Sequence, residues 1–205
     1  MDCSNWNIYY KKTKQLTIPR KTVVKAIELF HDRKTLNNSL FAIDLGCGAG
    51  NDSIELLRNK WSVLAIDSQV DALSTLENSC PQSLKSKLVT KIAKFETIRY
   101  LPPCQLINAS FSLPFVKREF FYPFWEIILN TLSPKGIFSG AFFGIKDDWY
   151  PNKDSDMTFL TPEELDNLFI PFKILWLDEK EHFGVDASGS YFKYWHQYLV
   201  VAEKI

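Results

Sequence analysis

The sequence predicts an α/β fold, an open and mostly parallel doubly wound sheet with helices on both faces and an antiparallel strand at its C-terminal end. Short apolar runs alternate with segments of helical period, a glycine cluster closes the first of those runs, and after Gly144 the alternation gives way to two late β-rich runs. Strands alternating with helices require right-handed crossovers, which put helices on both faces of a parallel sheet.

Taken in order, residues 19–33 are expected to form the first helix, with Val23, Val24, Ile27, Leu29 and Phe30 at mostly helical spacing behind Pro19, a residue suited to a first helical turn. Residues 40–43 form a short apolar strand ended by glycines, and Ile54, Leu56 and Leu57 mark the helix that follows. The same unit repeats as strand 62–66, helix 70–76 and strand 88–93, where Lys91 favours a less buried position. Strands at 106–107 and 137–143 flank a helix over 117–132. Residues 147–161 are polar, contain Pro151 and read as a loop; a short helix then starts at Thr161-Pro162-Glu163-Glu164, where threonine caps and the acidic side chains favour the positive helix end. Strands 173–177 and 194–202 bring the total to seven, and residues 178–192 between them, with Gly184 and Gly189, are expected to be a flexible hairpin connection.

A chain of 205 residues, 46% hydrophobic, is of a size to build one domain over residues 1–205, with residues 1–35 as an N-terminal arm and helix able to act as a lid. Basic and acidic residues number 24 each, so the basic excess that holds proteins on phosphate backbones is missing and nucleic acid is a disfavoured partner. The first residues have no apolar run suited to a signal peptide, and no stretch approaches a membrane span, so a cytoplasmic protein without membrane contact is expected. Cys3, Cys47, Cys80 and Cys104 are widely spaced and read as free thiols, while His31, His182 and His196 lack the spacing of metal ligands. No metal and no obligate protein partner are expected.

The chemistry concentrates in Phe41-Ala-Ile-Asp-Leu-Gly-Cys-Gly-Ala-Gly50, an apolar strand that runs into D-x-G-x-G-x-G. Glycines at alternate positions let the backbone turn sharply and approach a ligand closely, although many α/β proteins use such a turn merely to pack a helix on a strand. In a dinucleotide loop the pattern G-x-G-x-x-G would require a third glycine where this chain has Asn51. Asp44 would also repel a pyrophosphate, whereas it attracts a cationic amino-acid group. About twenty residues further on, Asp67 ends a second apolar strand at the place where a carboxylate accepts both hydroxyls of a ribose. The alternative for Asp67 is a helix cap at the start of the next helix, near Ser68.

These two segments resemble the first two motifs of class I S-adenosylmethionine-dependent methyltransferases, whose Rossmann-like seven-stranded sheet also ends in an antiparallel pair. Residues 6–10, the segment Asn108-Ala-Ser-Phe-Ser-Leu-Pro-Phe115 and the late Tyr194-Trp-His196 are similar, more narrowly, to small-molecule methyltransferases near the tellurite-resistance group. The resemblance implies S-adenosylmethionine as cofactor. Its methionine part would lie on Asp44, Gly46, Cys47, Gly48, Gly50 and Asn51, its ribose on Asp67 and Ser68, and its adenine on Phe95 and Glu96. Many relatives have aspartate near position 94, where this chain has Lys94.

Asn108 stands where the family's fourth motif often has aspartate, close to the reactive methyl. Asn108-Ala-Ser-Phe111 lacks the two prolines of the N-P-P-Y/F signature of amine methylation, so its backbone is not preset by fixed φ angles. Tyr10, Arg20, Phe111 and Trp149 are expected to meet the acceptor. His196 is the histidine placed to take a proton where the acceptor is a hydroxyl or protonated amine; the alternative is a hydrogen-bonded structural residue. The implied function is methyl transfer to a small molecule, against two alternatives: a nucleic-acid or protein methyltransferase, and a non-catalytic S-adenosylmethionine-binding protein.

Overall fold

A computed structural model describes residues 18–31, 40–150, 156–186, 189 and 191–205. Among them an eight-stranded sheet runs in the order β3-β2-β1-β4-β5-β8-β7, with β6 pairing off this path on β5. The strands are β1 (Phe41–Leu45), β2 (Ser62–Asp67), β3 (Leu88–Ile92), β4 (Cys104–Ala109), β5 (Leu132–Gly144), β6 (Phe159–Leu160), β7 (Phe172–Val185) and β8 (Phe192–Lys204). Pairing is parallel from β3 through β5 and antiparallel on both sides of β8.

The two faces follow from the period-two alternation of the strands. Ala42, Val63 and Ala65 face a layer made by α1 (Lys21–His31), α2 (Asn51–Arg58) and α3 (Val70–Ser79), into which Val23, Ala26, Ile27 and Phe30 project at helical spacing. Ile43, Leu45 and Ile66 face the opposite layer, where Phe121, Phe124, Trp125 and Ile128 of α4 (Arg118–Thr131) meet Leu165, Leu168 and Phe169 of α5 (Pro162–Phe169). Thr161 caps α5 as expected: its hydroxyl accepts from Glu164 N–H while the Glu164 carboxylate accepts from Thr161 N–H. No helix among the described residues is long and apolar enough to cross a membrane.

The structure departs from the sequence reading at three places. The expected flexible connection over 178–192 is mostly strand, because β7 runs to Val185 and β8 starts at Phe192. Phe183 stacks on Phe192 at 5.9 Å and meets Tyr194 at 4.9 Å, so cross-strand aromatic contacts carry the ladder through a polar stretch and past Gly184. Phe159 and Leu160, read as loop, form β6 on the end of β5. The strand expected at 137–143 begins earlier, at Leu132, directly after α4. The expected helical end at Arg33 lies outside the described residues, as does Tyr10.

Candidate functional site

The carboxyl ends of β1, β2 and β4 open into a cavity of about 730 Å³, where an open α/β sheet places its ligands. One wall is the glycine turn after β1. Gly46, Gly48 and Gly50 have φ of 69°, 54° and 87°. A Cβ on Gly46 would stand 2.4 Å from Ser112 Cβ, and one on Gly50 would stand 2.3 Å from Leu76 Cδ1 of α3. The turn therefore needs glycine at both positions for conformation and for space. It is tied to β2, since Gly46 N–H and Cys47 N–H both donate to Ile66 O, at 2.8 and 3.1 Å.

Behind the turn lies a buried polar network. Asp44 Oδ2 accepts from Ser53 Oγ at 2.5 Å, and Asp44 Oδ1 accepts from Asn108 Nδ2 at 2.9 Å. The other Asn108 amide hydrogen goes to Asp52 Oδ2 at 3.0 Å, while Arg20 N–H donates to Asp52 Oδ1 at 2.8 Å. Asn108 Oδ1 accepts from Ser110 and Ser139 at 3.0 and 3.1 Å. Burial, with Asp52 alongside, pushes the Asp44 carboxyl up to about 7. Burial also holds the Cys47 thiol well above its usual range, which leaves it protonated and a poor nucleophile.

Asp67 is buried at the end of β2 and does not serve as the cap of α3, which starts at Val70 after Gln69. Its Oδ2 accepts from Gly48 N–H and its Oδ1 from Gln69 N–H, both at 2.9 Å, so it joins the glycine turn to the segment entering α3. Asn51, Ser68, Phe95 and Glu96 line the same cavity, and Phe95 stacks on Phe124 at 4.9 Å. The residues expected for a nucleoside and its amino-acid end thus share one wall. An excess of buried carboxylate there, without a cationic side chain in ion-pair reach of Asp44 or Asp52 among the described residues, fits a ligand that brings a positive charge.

Further along the lining, Phe111 has φ of 55°, a conformation uncommon for an aromatic residue, and Arg20 lies over its ring at 5.2 Å. The segment after β4 reaches this left-handed turn without the prolines of the related signature. Lys180 and His182 of β7 and Gln197 of β8 complete the wall.

His196 and Trp149 lie outside this lining. His196 is buried, its Nδ1 accepts from Lys146 N–H at 3.1 Å and its Nε2 pairs with Glu179 at 2.9 Å; a Cβ on Gly144 would overlap its ring at 2.1 Å. Glu179, Glu181 and His196 bring ligand atoms within 4.8 Å of one another, yet a backbone N–H on Nδ1 leaves the hydrogen on Nε2 and no lone pair there for a metal. Trp149 packs 5.2 Å from Trp195 and 3.6 Å from the Lys193 ammonium, which is buried against Asp147.

Sequence reasoning passed over Asp52, His182 and Gln197. Asp52 reads as an ordinary acidic residue in a first helical turn. Gln197 and His182 emerge only from the register, in which His182 pairs with Trp195 and Lys180 with Gln197, on the face opposite His196.

A family model described as tellurite resistance protein TehB matches residues 1–131. Among solved structures, TehB from Haemophilus influenzae superposes with a TM-score of 0.73 at 16% identity, covering 91% of this chain and 62% of that one. This chain therefore spans less than two thirds of the length of the Haemophilus protein. A 1,6-didemethyltoxoflavin-N1-methyltransferase from Burkholderia thailandensis, with 1,6-didemethyltoxoflavin and S-adenosylhomocysteine bound, gives 0.64 at 16% identity, over 98% of this chain and 86% of that one. An S-adenosylmethionine-dependent methyltransferase from Methanosarcina mazei gives 0.63 at 18% identity, over 86% and 97%. No curated protein sequence matches at a significant level.

Proposed function

Because this chain belongs to the tellurite resistance protein TehB family, we propose that it transfers a methyl group from S-adenosylmethionine to a small-molecule acceptor by in-line displacement. The observation that carries this reading is that the carboxylate and glycine wall and the wall of Arg20, Phe111, His182 and Gln197 face one continuous cavity of about 730 Å³. A donor held on the first wall and an acceptor on the second meet inside a chamber of small-molecule size.

The reaction moves the sulfonium methyl. The acceptor's lone pair forms the new bond to carbon, the sulfur–carbon bond breaks, and sulfur keeps its pair as a neutral thioether. The protein's part is alignment and exclusion of water, so no nucleophilic side chain is needed and a protonated Cys47 is no handicap. Where the acceptor must lose a proton, His182 on the cavity wall is better placed to take it than His196, whose two nitrogens are both occupied. The methyltransferase structures that share the fold, one of them with a small-molecule acceptor bound, support the reading. Neutral overall charge argues against a nucleic-acid acceptor.

The test is a methyl-transfer screen by mass spectrometry, with S-adenosylmethionine and small acceptors set beside RNA, DNA and protein. Turnover of a small molecule with release of S-adenosylhomocysteine is expected. Activity confined to a polymer, or cofactor binding without any turnover, overturns it.

A further inference from the structure

Among the described residues the sheet ends at β3, which pairs only with β2. Ala93 N–H donates back to Asp67 O at 3.0 Å, and along a strand the N–H and C=O of successive residues point to alternate sides. Val89 and Lys91 therefore turn their backbone groups towards β2. Leu88, Thr90 and Ile92 turn theirs outward, where no described strand meets them. The side chains alternate between the faces of the sheet. Thr90 lies on the α3 side, where its hydroxyl donates to Glu77 at 2.5 Å, while Val89 on the other face is 60% exposed and Ile92 is 58% exposed.

The charge of a neutral chain is unbalanced at this edge. Residues 78–95 hold Lys85, Lys87, Lys91 and Lys94 and no acidic residue, although the whole chain has 24 charges of each sign. All four lysines are exposed, and among the described residues none has a carboxylate in ion-pair reach. The opposite edge, β7, is different: Asp178 pairs with Lys180 at 3.3 Å, Glu179 with His196 at 2.9 Å and Glu181 with Lys146 at 2.6 Å. Lysine on an edge strand deters indiscriminate pairing with other strands. The same charge selects a partner that neutralises it.

We propose that the outer edge of β3 receives an extended acidic peptide segment of another protein as an added strand. The segment's backbone pairs with the outward N–H and C=O groups of Leu88, Thr90 and Ile92, and its apolar side chains cover Val89 and Ile92. Its carboxylates meet Lys85 and Lys87 before the strand, Lys91 within it and Lys94 after it. A nucleic-acid strand would answer the lysines but leave the outward peptide groups and both apolar side chains without partners. Apart from Lys94, which also lines the cavity, this edge shares no residue with the cavity walls, so the inference does not rest on the function proposed above.

Fluorescence anisotropy tests it with the whole chain and a labelled peptide of alternating glutamate and valine, about eight residues long so as to cover the five of β3. Saturable binding is expected, weakened about tenfold or more both by raising salt from about 0.05 to about 0.5 M and by the double change Lys87→Glu with Lys91→Glu. A peptide of equal charge with two adjacent prolines at its centre loses an N–H on each side of the strand and should not bind. Hydrogen exchange should slow on binding at the Thr90 and Ile92 amides and stay unchanged at Val89 and Lys91, which already face β2. Equal binding of the proline peptide, or of an oligouridylate of equal charge, overturns strand addition and leaves a patch that attracts anions of any shape. Failure of the valine peptide to bind at low salt overturns it too, and leaves the lysines as guards of the edge. The peptide comparison uses the wild type and stands even if the variant folds poorly.

Discussion

Asp44 is a carboxyl whose folded-state affinity for a proton exceeds that of the unfolded chain, rising from 3.8 to about 7 through burial and the nearby Asp52. The associated stability is fully present below the lower value and is lost as pH rises through the upper one, because the folded protein binds the proton more tightly than the unfolded one. Asp44→Asn keeps a neutral group of the same shape at every pH. The difference in Tm between variant and wild type, both without cofactor, should therefore shift in the variant's favour between about pH 4 and pH 8, as differential scanning fluorimetry would record. A constant difference would mean that the carboxyl is not held protonated. Asp67 makes a different case, since its two oxygens hold Gly48 and Gln69 and face the cavity. Asp67→Ala should weaken S-adenosylhomocysteine binding by about 1–3 kcal/mol, the loss expected for hydrogen bonds to a charged acceptor, and calorimetry that finds unchanged affinity would confine Asp67 to holding the turn. Phe111→Ala should raise the acceptor KM or lower kcat while cofactor affinity stays within about threefold; a parallel fall in both would place the ring on the cofactor instead.

At the scale of elements, β8 decides which residues the cavity meets. Along a strand, neighbours point to opposite faces, so Gln197 faces the cavity and the adjacent His196 faces Tyr198 and Glu179. That choice depends on pairing with β5 and β7 and could not be read from residues 194–202 alone, which is why the histidine expected in the site is found outside it. The glycine turn, Asp44 and Asp67 were legible because their signal is local, an apolar run that ends in an acid at a fixed distance from glycine. Asp52 was not, since its partners stand 32 and 56 residues away. Trp149, expected at the acceptor, stands outside the cavity lining and packs on Trp195. It covers the Lys193 ammonium together with Trp195 at 3.9 Å, and burial draws that ammonium below its usual pKa against the pull of Asp147. Asp147 also accepts from the N–H groups of Trp149 and His196, so it joins the segment after β5 to β8. Asp147→Ala should cost about 3–5 kcal/mol in urea unfolding by leaving a buried cation uncompensated, and the double change with Lys193→Met should cost less than Asp147→Ala alone. Additive losses would show that the pair is not coupled.

For the whole molecule, β5 is the strand on which the two sides of the cavity depend. It carries β4 on one edge and β8 on the other, with β6 on its end, and apolar layers pack against both faces of the sheet. The fold class was legible because the alternation of apolar runs and helical segments is a property of the whole chain. The two-residue β6 and the far part of the β7–β8 ladder were not, since one is too short to show a period and the other is held by ring contacts between polar neighbours. This ordering makes the sheet a ruler. Asn108 sits on β4 and Gln197 on β8, separated by β5 alone, so the strand axes that bracket the acceptor space lie two inter-strand steps apart, about 10 Å. On the proposed function, this span is the width over which Asn108 and Gln197 reach one acceptor together, because a hydrogen-bonded sheet does not stretch. In a series of acceptors that share one reacting group, Gln197→Ala should then lower kcat/KM for those long enough to reach β8 and leave the shorter ones unchanged, and an equal effect on all of them would take Gln197 away from the acceptor.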